Sequence, residues 1–110
     1  MKRFFLISAL IVYYTWSGNS AQIARELQSL TGCDALEITL VTPYTSNYNE
    51  MLEVAKSEFQ RIDSSGVYPA IKTAVSLKEY DTVFIVYPLW WSRMAAPMQT
   101  FLHNNQQDLT

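Results

Sequence analysis

A short polar turn, TWSGNS (Thr15–Ser20), is the first stretch of this sequence that could do chemistry. It follows an apolar run and precedes a helical pattern, so its backbone N–H groups and the positive end of the helix would point to one place. A phosphate monoester fits such a place, because Gly18 lets the backbone approach closely and Asn19 tolerates a left-handed conformation. Further donors would be the hydroxyls of Thr15, Ser17 and Ser20. The alternative is an ordinary turn with a Ser or Asn N-cap and no ligand.

A second candidate is YPLWWS (Tyr87–Ser92), which follows the third apolar run. Two adjacent tryptophans at the carboxyl end of a strand are not typical core residues. One of Trp90 and Trp91 can pack inward while the other stays exposed, and an exposed indole is a platform for a flat aromatic ligand. The alternative is that both indoles cap the sheet or form a subunit contact.

Other kinds of site find little support. The chain has neither the Gly-x-Gly-x-x-Gly pattern of dinucleotide binding nor the lysine of a nucleotide-triphosphate loop. Cys33 and His103 are the only cysteine and histidine, and no Cys/His spacing suits a metal. We therefore predict no metal site and no catalytic residue.

Composition sets the broad class. The chain has 110 residues, 49% of them hydrophobic and 16% charged, which predicts one globular domain. A net charge of -2 argues against a nucleic-acid binder. One cysteine fits a reducing compartment. The apolar run Phe4–Tyr14 is shorter than the ~20 residues that span a bilayer, and no cleavage site follows it. We expect a cytoplasmic protein that does not enter a membrane, with a secretory signal as the alternative.

Strand patterns alternate with helical patterns along the chain. The predicted strands are Ala9–Tyr14, Ala35–Val41 and Thr82–Tyr87. The predicted helices begin at Ala21, run from Glu50 to about Ile62, lie around Ala70–Leu77, and begin at Pro97. The first helix should end at Thr31-Gly32 and bury Ile23, Ala24, Leu27 and Leu30.

This alternation predicts a parallel sheet with right-handed crossovers. Thr82–Tyr87 is almost wholly apolar and is predicted to be central, so either the chain is a fragment or another chain completes the sheet. With strand order 2-1-3, the first and third strands are neighbours and a crevice opens between their carboxyl ends. Both candidate loops begin there. A phosphate site beside an indole would suit flavin mononucleotide (FMN).

The motifs together resemble the flavodoxin-like family, in particular a subfamily with a Tyr-Pro-x-Trp-Trp loop. The resemblance runs from Ala9 to about Leu102 through IVYYTWSGNSAQIARELQSLTG, PY…Y, YDTVFIVYPLWW and MAAPMQTFL. It implies a three-layer α/β/α fold, non-covalent FMN and redox work. It also implies a domain over residues 1–110 with an N-terminal extension, Met1–Ser8, and without the last two strands of the family.

Carried over position by position, the resemblance assigns FMN binding to eleven residues. In the first loop they are Thr15, Trp16, Ser17, Gly18, Asn19 and Ser20, with Trp16 near the ribityl chain. In the second they are Pro88, Leu89, Trp90, Trp91 and Ser92, with an indole against the ring. Ser92 departs from the family, whose members commonly have glycine there.

The resulting prediction is an FMN-binding protein that acts in electron transfer or as a small flavin-dependent oxidoreductase. Its partner would be a redox protein or a small-molecule electron acceptor. The alternative is a cofactor-free interaction module that associates through its open sheet edge, a homodimer included. Tyr44 and Tyr48 could approach the cofactor or merely pack, and Arg93 could steer an acidic partner or simply be solvated.

Overall fold

The computed structural model describes residues 8–109. The predicted extension Met1–Ser8 lies outside these residues except for Ser8. The strands are β1 (Ala9–Tyr13), β2 (Asp34–Glu37), β3 (Thr82–Val86), β4 (Leu89–Trp90) and β5 (Arg93–Met94). The helices are α1 (Asn19–Thr31), α2 (Tyr48–Ser65) and α3 (Ala96–Asn104).

The first three strands form a parallel sheet in the order β2-β1-β3. The apolar run of β1 fits its central place, because both of its edges are paired and Leu10, Ile11 and Val12 are buried. The prediction that β3 is central was wrong for the described sheet. β3 lies at an edge, and each of its residues is half-buried. Val83 and Ile85 of β3 pack against the core.

The core lies mainly on one face of the sheet. Alternate residues of β1, Leu10 and Val12, pack there with Met51 of α2 and Phe101 of α3. Right-handed crossovers place α1 and α2 on opposite faces, so α1 covers the other side. The predicted α/β fold with a parallel sheet and helices on both faces is confirmed.

Three local predictions were wrong. In α1 only Ser20 and Ala24 are buried, while Ile23 and Leu30 are 50% and 84% exposed, so one helix on that face leaves part of its apolar stripe in solvent. β2 ends at Glu37, earlier than Val41. The segment 70–77 is not helical: Ile71 forms an isolated antiparallel bridge with Leu40 beyond the end of β2.

The helix ends follow local sequence signals. Gly32 caps α1 with a left-handed φ of 72°, and its N–H donates to the Gln28 carbonyl. Asn47 caps α2 by accepting a hydrogen bond from the Glu50 N–H at 2.9 Å. Pro97 lies in the first turn of α3, as predicted.

Candidate functional site

The two candidate loops lie side by side. Tyr13 of β1 is in register with Val86 of β3, and the Tyr14 N–H donates to the Val86 carbonyl at 3.0 Å. Thr15 and Tyr87 therefore follow the carboxyl ends of adjacent parallel strands, as the strand order predicted. This edge is where α/β sheets bind ligands.

The glycine turn, Thr15–Ser20, leads directly into α1. Gly18 is the N-cap, with a φ of 102°, and its N–H donates to Thr15 Oγ1 at 3.0 Å. The first helical hydrogen bond joins the Gln22 N–H to the Gly18 carbonyl at 3.1 Å. The alternative of a Ser or Asn cap was wrong, since no side chain caps this helix. The N–H groups of its first turn are thus left for water or an anion.

The side chains of the glycine turn differ in exposure. Ser17 and Asn19 are exposed, whereas Ser20 is buried. Trp16 is attached to the loop between β2 and α2: its Nε1–H donates to the Thr45 carbonyl at 3.0 Å, and its ring centroid lies 5.9 Å from that of Tyr48. The indole of Trp16 therefore faces the β2 side of the turn.

The second loop contains a hairpin that the sequence did not predict. β4 and β5 pair antiparallel, and we call Leu89–Met94 the tryptophan hairpin. Trp91 and Ser92 form its turn with φ values of 54° and 59°. Positive φ at both central positions is the geometry of a tight hairpin turn, and it favours Gly or Asn. A glycine at the position of Ser92, which the resemblance led us to expect, would fit this turn without strain.

Trp90 points inward from the hairpin. It is 5% exposed, and its ring lies edge-on to Tyr14 at 6.0 Å and to Tyr44 at 5.2 Å between centroids. The sequence allowed one of the two adjacent indoles to pack inward while the other stays exposed, and the buried one is Trp90. The prediction that Trp90 touches a flavin stays a prediction.

A buried carboxyl supports this aromatic cluster. The Tyr44 hydroxyl donates to Glu58 Oε1, and Glu58 is buried in α2. Burial raises the pKa of Glu58, although the Tyr44 hydrogen bond and Arg61 oppose the rise. Burial raises the pKa of the Tyr44 hydroxyl far above its usual value, with the hydrogen bond to Glu58 as a further cause. Tyr44 packs in this cluster, and its approach to a cofactor stays a prediction.

The outer side of the hairpin is attached to α2. Trp91 is 49% exposed, and its Nε1–H donates to the Leu52 carbonyl at 2.8 Å. Arg93 makes two hydrogen bonds to Asp63, at 2.9 and 3.0 Å, and its guanidinium lies 4.4 Å from the centroid of Phe59. The hydrogen bond from Arg93 lowers the pKa of Asp63. Arg93 thus holds the hairpin against α2.

A cavity of about 610 Å³ opens at the same edge, on the β2 side of the glycine turn. Sequence reasoning placed a crevice between β1 and β3, whereas this cavity lies between the glycine turn and the segment after β2. Its lining is Tyr14, Thr15, Trp16, Ser17, Glu37, Ile38, Thr39, Leu40, Pro43, Tyr44, Thr45, Ser46 and Lys72. Lys72 was missed because its segment was predicted to be helical.

Comparison with models of known protein families identifies the family of this chain. The flavodoxin family model matches residues 8–108, nearly the whole chain. The chain belongs to the flavodoxin family. No curated protein gives a significant match to this flavodoxin-family chain.

Solved structures give the same fold. A flavoprotein from Lactobacillus acidophilus, crystallised in complex with FMN, is 24% identical with a TM-score of 0.76, over 90% of this chain and 66% of that one. A protein described as a flavoprotein from Bacteroides eggerthii is 29% identical with a TM-score of 0.75, over 89% and 62% of the two chains. One from Bacteroides uniformis is 25% identical with a TM-score of 0.74, over 89% and 64%. This flavodoxin-family chain therefore spans less than two thirds of the length of these neighbours.

No helix in the part of the chain from Ser8 to Leu109 has both the length and the apolar character needed to cross a bilayer.

Proposed function

We propose that this protein binds FMN and acts either in electron transfer or as a small flavin-dependent oxidoreductase. The observation that carries this proposal is the glycine turn, an uncapped helix N-terminus beside a second loop on the adjacent strand. The flavodoxin family and the FMN complex of the Lactobacillus protein support it. A redox protein or a small-molecule electron acceptor would be the partner, and the cytoplasmic location stays a prediction.

The glycine turn fits the phosphate of FMN. The uncapped first turn of α1 presents backbone N–H groups, and the exposed Ser17 and Asn19 can add side-chain donors. An added Cβ at Gly18 would meet nothing within 4 Å, so the space beside the backbone is open. These residues would hold the phosphate by hydrogen bonds and by the helix dipole.

The tryptophan hairpin fits a planar ring on its exposed surface. Leu89 is exposed, and about half of Trp91 is exposed as well. Large apolar side chains in solvent beside an anion site are typical of ligand contacts. Leu89 and Trp91 would therefore contact the ring, while the buried Trp90 supports the hairpin from below.

Bound FMN would supply the redox chemistry, since flavins carry electrons or hydride. The protein's part is to hold the phosphate, restrain the ring and exclude water from one side of it. Arg93 and the Leu52 carbonyl fix the hairpin, so they position the residues that would touch the ring.

The decisive experiment compares FMN with riboflavin by fluorescence titration. FMN should bind one per chain and riboflavin more weakly, because riboflavin lacks the phosphate. Ser17→Ala should weaken FMN and leave riboflavin unchanged. The matched control is Ser29→Ala, an exposed serine at the far end of α1. Equal affinity for FMN and riboflavin would refute the phosphate role of the glycine turn.

A second candidate function is a cofactor-free interaction module, and the open edge of β3 favours it. The Val86 carbonyl faces β1. Because the backbone groups of successive strand residues point to alternate sides, the N–H groups of Val83 and Ile85 face the open edge. Hydrogen exchange tests this candidate directly. Association would be favoured if the amides of Val83 and Ile85 exchange as slowly as that of Phe84 and if analytical ultracentrifugation shows a dimer. Fast exchange at these two amides in a yellow monomer would reject it.

A further inference from the structure

The cavity on the β2 side of the glycine turn has the size of a small-molecule site. Its volume is about 610 Å³, within the usual range of about 300–1,000 Å³ for ligand pockets. The glycine turn contributes only Thr15, Trp16 and Ser17 to the lining. No residue of the tryptophan hairpin lines it. The cavity is therefore beside the proposed FMN contacts and mostly separate from them.

Two aromatic side chains of this cavity, Trp16 and Tyr44, offer ring surface rather than free polar atoms. The Trp16 Nε1–H is taken by the Thr45 carbonyl, and the Tyr44 hydroxyl is taken by Glu58. Tyr14 is buried and packs edge-on to the Tyr44 ring at 6.3 Å between centroids. Since the polar atoms of Trp16 and Tyr44 are already paired, these two rings favour a flat aromatic ligand.

Within residues 8–109, Lys72 supplies the one positive charge of the lining. The segment around it is fixed along the chain after β2: the Lys72 N–H donates to the Thr39 carbonyl at 2.7 Å, and the Val41 N–H to the Ala70 carbonyl at 3.1 Å. The Thr73 hydroxyl donates to the Glu37 carbonyl at 3.2 Å. Among residues 8–109, Lys72 has no ion-pair partner. The backbone thus holds an unpaired cation at the cavity.

Glu37 is the only carboxylate that the described part of the chain contributes to the lining. It lies beside Tyr13, whose pKa is raised by burial and then by the charge of Glu37. Lys72 would attract an anionic ligand and Glu37 would repel it, so removing each charge should change the affinity in opposite directions.

We propose that this cavity binds a planar aromatic anion, with its ring against Trp16 and Tyr44 and its anionic group at Lys72. Such a ligand, an anionic quinone for example, would occupy a site next to FMN. A role of this ligand as an electron acceptor would rest on the proposed FMN function, whereas its binding does not.

Calorimetry with anthraquinone sulfonate tests the site on the full chain, with and without saturating FMN. The probe should bind in both cases. Lys72→Met should weaken it about fivefold, since an exposed charge pair contributes up to that factor. Lys78→Met is the matched control, because Lys78 is also exposed and does not line the cavity. Glu37→Gln should tighten binding.

Indole NMR locates the probe. The chain has three tryptophans, and the Trp16 signal should shift on titration while that of Trp91 stays in place. No binding, equal affinity in the Lys72 and Lys78 variants, or displacement by FMN would each overturn the proposal. If the probe binds through Lys72 but FMN does not bind, the cavity site stands and the FMN function fails. If FMN binds and the probe does not, the FMN function stands and the cavity site fails.

Discussion

The glycine turn and the tryptophan hairpin follow neighbouring strands, yet their polar groups are used differently. In the glycine turn the helix start has no side-chain cap, and Ser17 and Asn19 are exposed. In the hairpin, Trp90 is buried, Trp91 donates to Leu52 and Arg93 pairs with Asp63. One loop leaves its donors exposed to solvent, and the other uses them to fix its own position.

The largest expected effect concerns the inner side of the hairpin. Trp90→Ala should lower the free energy of unfolding by about 3–5 kcal/mol, because it removes a buried indole and leaves a cavity. Trp91→Ala is the control and should cost much less, since that side chain is half exposed. Urea unfolding measures both. Equal losses would remove the distinction between the two indoles.

The next largest effect concerns Tyr44 and Glu58, the hydrogen-bonded pair that packs next to Trp90. Tyr44→Phe should cost about 1–3 kcal/mol, because the buried Glu58 carboxyl loses its donor. The Glu58 pKa is raised above its ordinary 4.5, so the folded protein holds this proton to higher pH than the unfolded chain. The free energy of unfolding therefore falls as the pH rises from about 4.5 through the pKa of Glu58 in the folded protein.

Tyr44→Phe should enlarge this loss of stability at rising pH, because the hydrogen bond from Tyr44 lowers the Glu58 pKa. Glu58→Gln should abolish it. Thermal unfolding measured at a series of pH values separates the two variants. An unchanged pH dependence in Glu58→Gln would mean that this carboxyl is not the titrating group.

The glycine turn should give a smaller effect on stability and a distinct one on binding. Gly18→Ala should cost about 1–2 kcal/mol, because a φ of 102° disfavours a side chain. Gly32→Ala is a matched control, with a φ of 72° and equally open space. Chemical unfolding and FMN titration should show similar stability losses, with weaker FMN binding only in the Gly18 variant. Equal FMN affinity in both would separate the turn from the phosphate.

The smallest expected effect is on the outer attachment of the hairpin. Asp63→Asn should lower stability slightly, and the loss should shrink with added salt because the pair with Arg93 is in solvent. Since Arg93 lowers the Asp63 pKa, this contribution is present above the ordinary value of 3.8 and is lost as the pH falls. Urea unfolding at two salt concentrations checks it; a large, salt-independent loss would contradict a surface role.

Local patterns predicted much of the fold. The apolar run of β1, the cap at Gly32 and the proline of α3 each act within a few residues, and each was found where expected. The strand order placed both loops at one edge. These features depend on chain geometry that a single sequence displays.

Contacts between distant segments were not predictable in the same way. Trp90 is buried because Tyr14 and Tyr44 surround it, and neither residue is near it in sequence. Lys72 reaches the cavity because its segment, predicted to be a helix around Ala70–Leu77, instead pairs with the chain beyond β2. The assignment of the eleven residues to FMN stays a prediction.

Helix α2 touches both loops. Its first residue, Tyr48, packs against Trp16, and farther along Leu52, Phe59 and Asp63 hold the hairpin on one stripe of the helix. A helix is stiff along its axis, so a shift or tilt of α2 would displace the two loops as a pair. The distance between the phosphate end and the ring end of the proposed site thus depends on α2 as well as on the paired strands β1 and β3, and changes in α2 would alter both ends at once.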